Sequence, residues 1–323
     1  MIPWQNLCKY FNNGALGEPI QKLGRGWYHT HQYSLELIFH SLILNHPCRV
    51  YNHKSLLRAL LIYGRLDILR CHFKNNVSYA SSQRLSGVGA SEMARISARL
   101  VQEIRERSSW HVNDIGVPHP TYFHPQSDHD IISWQQKTIS STRRSLVSFA
   151  GAARPGSPEN IRLILIKQCT GSHENCRFLD CRSGGCDQPE SIINLFMESE
   201  FCMQPPGDSP TRKSVFDSLV AGCIPVLFDP LTAYYQYPWH LPQDHQKYSV
   251  LIDQADVRDM KVNVVERLAE IGVKERENMR RYIVYELLPG LLYRHPNSKL
   301  HNFKDAFSIA MNNLFERVNR LDG

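Results

Sequence analysis

The stretch FCMQPPGDSPTRKSVFDSLVAGCIPVLF, residues 201–228, carries the pattern that decides the fold. Phe201–Gln204 reads as a short apolar strand, followed by a loop of proline, glycine and small polar residues. Ser214–Ala221 then reads as a helix, Gly222 as its stop, and Cys223–Phe228 as a second apolar strand. Two short strands joined through a helix are expected to lie parallel, since the crossover returns the chain to the same edge. Working outward, the alternation continues. Ser145–Ala150 is a strand, Gly151–Gly156 a tight loop and Glu159–Gln168 a helix, with Ser157 as its cap and Pro158 in its first turn. Arg177–Cys181 is a strand, Glu190–Ser199 a helix and Tyr248–Ile252 a further strand; Val264 to Leu321 is mostly helical, broken at Pro289-Gly290 and at Pro296. The expected class is α/β, with a Rossmann-like C-terminal half whose ligand sits at the carboxyl ends of parallel strands.

Upstream the pattern changes. Asn113–His129 holds Pro118, Pro120 and Pro125 among aromatics and histidines and reads as an extended connection. The expected division is therefore 1–140 and 141–323. Before it, Gln32–Leu44 reads as a helix with Thr30 as its N-cap, and residues 86–107 as a glycine-containing loop followed by a helix over Glu92–Arg107. The 323 residues are 42% hydrophobic and 21% charged, and no run of about 18 apolar residues occurs, which argues against a disordered chain and a multi-span membrane protein. The start, MIPWQNLCKYFNN, has no apolar segment of the signal-peptide kind, and no membrane anchor is expected in this chain. The net charge of +6 is scattered, without a block of five like charges; it suits a small anionic headgroup better than nucleic acid.

Two strand-to-helix loops carry the candidate chemistry. In FAGAARPGSP, residues 149–158, Gly151 marks the strand end, where backbone would approach a ligand, and Arg154 precedes a helix N-terminus, a natural anion cradle. The alternative is an ordinary βα turn. In the second loop Gly207, Asp208, Ser209, Thr211, Arg212 and Lys213 lead into a helix, where Arg212 and Lys213 could neutralise an anion. Asp217, one turn on, could accept hydrogen bonds from ribose hydroxyls, or else form a solvated i,i+4 pair with Lys213. Neither a GxGxxG nor a Walker A pattern occurs, which disfavours NAD and ATP. Asp128-His129-Asp130 spells an Asp-X-Asp triplet but is expected within the proline-rich connection, and no metal is expected. Nine cysteines make an odd count. Cys223 is the expected buried free thiol; Cys169, Cys176, Cys181 and Cys186, with gaps of six, four and four residues, favour local disulfides over zinc. Asn76-Val77-Ser78 is a glycosylation sequon.

Residues 201–242, FCMQPPGDSPTRKSVFDSLVAGCIPVLFDPLTAYYQYPWHLP, closely resemble the exostosin-like glycosyltransferases of plants, in the xyloglucan galactosyltransferase branch. So do NNGALGEPI, GWYHTHQYSLELIFH, NDIGVPHPTYFHP, SFAGAARPGSPENIR, KYSVLI, PGLLYRHPNSKL and KDAFSIAMNNL; together the likeness covers most of 6–75 and nearly all of 108–321. The resemblance implies a GT-B architecture of two Rossmann-like domains facing a cleft. It implies UDP-galactose as donor, xyloglucan xylosyl groups as acceptor, inversion, no bound metal or other cofactor, a Golgi lumen location and possible pairing with other Golgi glycosyltransferases. Arg154, Arg212 and Lys213 would stabilise the leaving diphosphate, and Asp217 matches the acidic position of the family's donor motif, as the uridine ribose contact.

One departure bears on activity. Relatives carry a Gly-Arg-Asp-His-Phe strand segment and a following Trp-Asp-Phe-Arg-Arg segment in the N-terminal domain. The stretch between Phe73 and Trp110 is too short to hold them, and Leu60-Leu61-Ile62-Tyr63 stands where the family has a proline-containing strand. This shortened acceptor side leaves the catalytic base unassigned; His29, His31, His72, His119 and His124 are the histidines near it. The alternative is a catalytically impaired relative that retains donor binding.

Overall fold

A computed structural model describes residues 12–45, 115–153, 160–207 and 209–321. Helix α1 spans Leu35–Leu44, and α2 spans Asp128–Ile139. Then come β1 (Ser145–Gly151), α3 (Arg162–Gly171), β2 (Cys176–Asp180), α4 (Pro189–Met197), β3 (Ser199–Gln204), α5 (Lys213–Val220), β4 (Ile224–Leu227) and β5 (Val250–Leu251). Helices α6 (Gln254–Arg258), α7 (Val264–Ala269), α8 (Val273–Tyr282), α9 (Leu288–Leu291) and α10 (Ala306–Leu321) follow. The strands form one parallel sheet in the order β2-β1-β3-β4-β5, with Val147 opposite Phe201 and Phe201 opposite Ile224. This is a doubly wound order: the chain moves outward from β1 to β2, then crosses back to β3, so the direction of winding reverses between β1 and β3.

A sheet covered on both faces has buried residues in succession rather than in alternation, and all four residues of β4 are buried. Phe201 and Met203 face one layer with Ile161, Leu165, Val264 and Leu268. Cys202 faces the other, with Ile131, Trp134, Ile193 and Phe196. The half-buried Arg143 guanidinium donates to the carbonyls of Thr138, Phe196, Ser199 and Ala221. It thus collects the ends of α2, α4 and α5, where orphan carbonyls and the negative dipole end favour a cation. Burial, followed by Arg280, lowers its pKa to about 9, against a smaller raising effect of Glu200.

The helix boundaries differ from expectation in several places, among them Pro289-Gly290, where a break was expected but α9 runs through both residues to Leu291. Helix α1 begins at Leu35, not Gln32, and Thr30 does not cap it; the Thr30 hydroxyl donates to the Leu16 carbonyl and pairs with His124. Helix α3 begins at Arg162; the expected cap at Ser157 and Pro158 lies outside the described residues, as does the helix expected over Glu92–Arg107. The extended connection ends at Ser127, whose side chain accepts from Asp130 N–H as the N-cap of α2. Asp128-His129-Asp130 therefore forms a first helical turn and is not part of the connection. Asp128 accepts from the backbone of His301 and Asn302, and Asp130 from Gln126 N–H, so the two carboxylates serve two separate loop contacts.

The cysteines require one correction. Cys223 is not a free thiol: it is bonded to Cys202, at a Cα separation of 5.9 Å. The strand pairing explains this, because Cys223 immediately precedes β4 while Cys202 lies in the neighbouring β3. Cys169–Cys176 and Cys181–Cys186 are also disulfides, which agrees with the expected local staples.

The boundary at residue 140 falls between α2 and β1. The described residues on its N-terminal side share cores with those beyond it. Ile20, Trp27, Phe123 and Trp134 pack with Phe196, Val220 and Leu288, and Leu16, Ile38 and Leu42 pack with Tyr293 and Phe307. Trp27 lies between Phe123, at a centroid distance of 5.0 Å, and Trp134, at 4.6 Å. The Trp134 indole N–H donates to the Val220 carbonyl.

Candidate functional site

The loop after β1 and the loop after β3 leave adjacent strands at their carboxyl ends, at the reversal of winding, where doubly wound sheets open a crevice. These strands lead into the two loops singled out from the sequence; of the first loop, residues 154–159 lie outside the described residues. Gly151 closes β1. A side chain there would meet the Phe149 ring at 2.6 Å, so the missing Cβ makes room for that ring. Arg154 and Asp208 lie outside the described residues, as do Asn76 and His72.

The second loop is tightly braced. Gly207 N–H donates to the Ser209 carbonyl, and the Ser209 hydroxyl to the Thr211 carbonyl. Arg212 occupies the extended N-cap position of α5; its Nη1 donates to the Pro205 carbonyl at 3.0 Å and its Nε to the Ser214 hydroxyl at 3.3 Å. The Ser214 hydroxyl donates to Gln204 Oε1 at 2.6 Å and ties the first turn of α5 to the end of β3. The first N–H groups of α5 and the Arg212 guanidinium thus stand together beyond the carboxyl end of β3, an arrangement that stabilises anions.

Lys213 and Asp217 form the i,i+4 pair the sequence offered, but it is buried and not solvated. The ammonium lies 2.8 Å from each carboxylate oxygen, and the side chains are only 9% and 4% exposed. The ammonium also lies 3.1 Å from the centroid of the Tyr122 ring. Burial pushes the Asp217 carboxyl up and the Lys213 ammonium down, against the attraction that keeps both charged. The pair is thus buried rather than solvated, and both Asp217 oxygens are engaged by Lys213.

The described histidines sort by burial. His124 is fully buried, bonded to the Thr30 hydroxyl and the Tyr293 carbonyl, and burial takes its pKa down to about 3. Its role is structural. His119 faces Phe216, and burial with the nearby Lys213 lowers it to about 4. His31 is lowered by burial and by Lys213, and its Nδ1 accepts from Tyr33 N–H at 3.3 Å. These residues and Tyr122 bring the N-terminal segments against α5, a contact with no local sequence signature. Among the described residues no group of three or more acidic, histidine or cysteine side chains could hold a metal ion, and no helix is long and apolar enough to cross a membrane.

A parallel sheet of five strands with helices on both faces and a reversal of winding between β1 and β3 defines a Rossmann-like protein. The exostosin GT47 domain matches residues 72–268, more than half of the chain, and the chain belongs to that family. It is 51% identical to the xyloglucan-specific galacturonosyltransferase 1 of Arabidopsis thaliana, over 98% of this chain and 54% of that protein. It is 48% identical to a probable xyloglucan galactosyltransferase of the same plant, over 99% of this chain and 64% of that protein. A third Arabidopsis relative, a xyloglucan galactosyltransferase, is 35% identical over 98% of this chain and 59% of its own length. The chain therefore spans between about half and two thirds of these relatives. The first alignment covers 357 positions against a chain of 323 residues, so that relative carries internal stretches which this chain lacks.

Proposed function

We propose that this chain is a sugar-nucleotide-dependent glycosyltransferase of xyloglucan synthesis, moving galactose from UDP-galactose to xylosyl side chains with inversion. The observations that carry the reading are that β1 and β3, the strands leading into the two candidate loops, are neighbours at the reversal of winding, with Arg212 at the start of α5 beside them, in a chain 51% identical to an enzyme named for xyloglucan. In the proposed reaction an acceptor hydroxyl loses its proton to a base and its oxygen attacks the anomeric carbon of the donor. The bond from that carbon to the β-phosphate oxygen breaks, and UDP leaves from the opposite face. Arg212, Lys213 and the start of α5 neutralise the departing diphosphate without a metal ion or other cofactor. The N-terminal part, as a second Rossmann-like domain in a GT-B arrangement, holds the acceptor, and the reaction takes place in the Golgi lumen, where disulfides such as those among the described residues are at home.

The internal stretches present in a relative and absent here favour a second reading, a donor-binding protein with slow transfer. Loss of a general base costs about 10²–10⁴-fold in rate. The name of the 51% relative makes UDP-galacturonate the competing donor. One assay separates these readings: labelled UDP-galactose and UDP-galacturonate are offered with xylose-substituted glucan oligosaccharides, with and without EDTA, beside calorimetry with UDP. Transfer of galactose that survives EDTA supports the first reading. UDP binding without product supports the second, product from UDP-galacturonate alone replaces the donor, and absence of both binding and product overturns the proposal.

A further inference from the structure

We infer that Arg162 and Gln204, which the sequence did not single out, complete with Arg212 a pyrophosphate subsite at the β1–β3 reversal point. The inference rests on the sugar-nucleotide reading for its ligand, but its geometry stands separately. Arg162 lies in the first turn of α3, in the unit that follows β1, and is only 5% exposed. Its Nε donates to the Pro206 carbonyl at 3.2 Å, while Arg212, from the unit that follows β3, donates to the Pro205 carbonyl at 3.0 Å. Two guanidiniums from different βα units thus hold consecutive carbonyls of one loop. They converge at Gly207, where an added methyl would lie 3.0 Å from Arg212 Nη1 and 3.7 Å from Arg162 Nη2. Paired planar forks of this kind match the oxygens and charge of a diphosphate.

Gln204 supplies the second observation. It ends β3, is 2% exposed and accepts from Ser214 through Oε1, while its Nε2 is a buried donor without a partner among the described residues. A buried donor left unpaired is costly, and native proteins usually satisfy it. An oxygen-rich anion at the mouth of the crevice would provide the acceptor. The subsite therefore recognises the phosphate chain and not the base or the sugar.

The test is calorimetry on the full chain with UDP, uridine and inorganic pyrophosphate. Arg162→Ala is expected to weaken UDP and pyrophosphate roughly 10- to 100-fold and to leave uridine affinity unchanged. Arg162→Lys should recover part of the loss, because it restores charge without the fork. Gln204→Leu should weaken UDP about 3- to 10-fold with the same selectivity. Equal losses for UDP and uridine, or no loss, would overturn the inference. If Arg162→Ala does not fold, Arg162→Lys and Gln204→Leu decide by the same UDP-to-uridine ratio. Wild-type protein that binds pyrophosphate but not UDP would retain the subsite and remove the sugar-nucleotide reading. UDP binding with unchanged ratios in the variants would do the reverse, and binding of neither ligand would remove both.

Discussion

The buried Lys213–Asp217 pair can be tested by breaking it from each side. A buried ion pair is expensive to strip of one member, because the survivor keeps its desolvation penalty without its counter-charge; the cost is about 3–5 kcal/mol. Asp217→Leu leaves the ammonium with the Tyr122 ring 3.1 Å away, and such a contact offsets only about 0.5–2 kcal/mol. Lys213→Met leaves a carboxylate that burial already pushes above its usual range and that would rise further without the ammonium. A carboxyl whose folded pKa exceeds its unfolded value, near 3.9, holds its proton more tightly when folded, so the stability of this variant falls as pH rises from about 4. Its deficit against wild type should therefore be smaller at pH 5 than at pH 7. The double variant Lys213→Met/Asp217→Leu removes both charges and should be more stable than either single variant. Urea unfolding of the four proteins at both pH values gives the coupling. Single-variant losses that add to the double-variant loss within about 0.5 kcal/mol would refute the reasoning.

Other consequences are as direct. Gly116→Ala would bring a methyl carbon within 1.7 Å of the Gln236 carbonyl oxygen, so the backbone must move; a large fall in melting temperature is expected, and unchanged melting would contradict the path of the connection. Replacing Cys202 and Cys223 by alanine should cost about 2–4 kcal/mol, read by chemical unfolding, and peptide mapping of unreduced protein should recover the two cysteines as one linked pair. His119 and His240, each lowered to about 4 chiefly by burial, are neutral when folded and charged when unfolded between there and about pH 6.5. Each should remove about 1.4 kcal/mol of stability per pH unit as pH falls through that window, and His119→Phe should flatten the slope measured by unfolding at a series of pH values.

Elements with a strong local signal were legible. The run from β3 through α5 to β4 was placed within a residue or two, because apolar strands, a glycine stop at Gly222 and a loop of turn formers all agree. The expected parallel order holds, and it sets β1 and β3, the strands that lead into the two candidate loops, side by side. What escaped was set by distance in the chain. Arg162 reads as an ordinary helix residue until its helix is seen to begin there and its side chain to cross to Pro206. Gln204 reads as the polar end of a strand, and its bond to Ser214 appears only when α5 folds back over β3. The burial of Lys213 and Asp217 depends on Tyr122, which arrives from a segment 91 residues earlier in number (213 less 122). The Cys202–Cys223 bond follows from strand adjacency, for which a separation of 21 residues gives no cue.

The shared cores around Trp27 and Tyr293 also determine when the protein can finish folding. Asn45 donates to the Pro296 carbonyl, 251 residues away, and His124 contacts the Tyr293 carbonyl, 169 residues away. During synthesis the early segment emerges long before its partners, with Leu16, Trp27 and Ile38 still uncovered. It must wait for α9 and α10 to leave the ribosome before it can bury them. Translation speed and chaperone supply during that interval, rather than the strength of any single contact, should therefore govern the yield of folded protein.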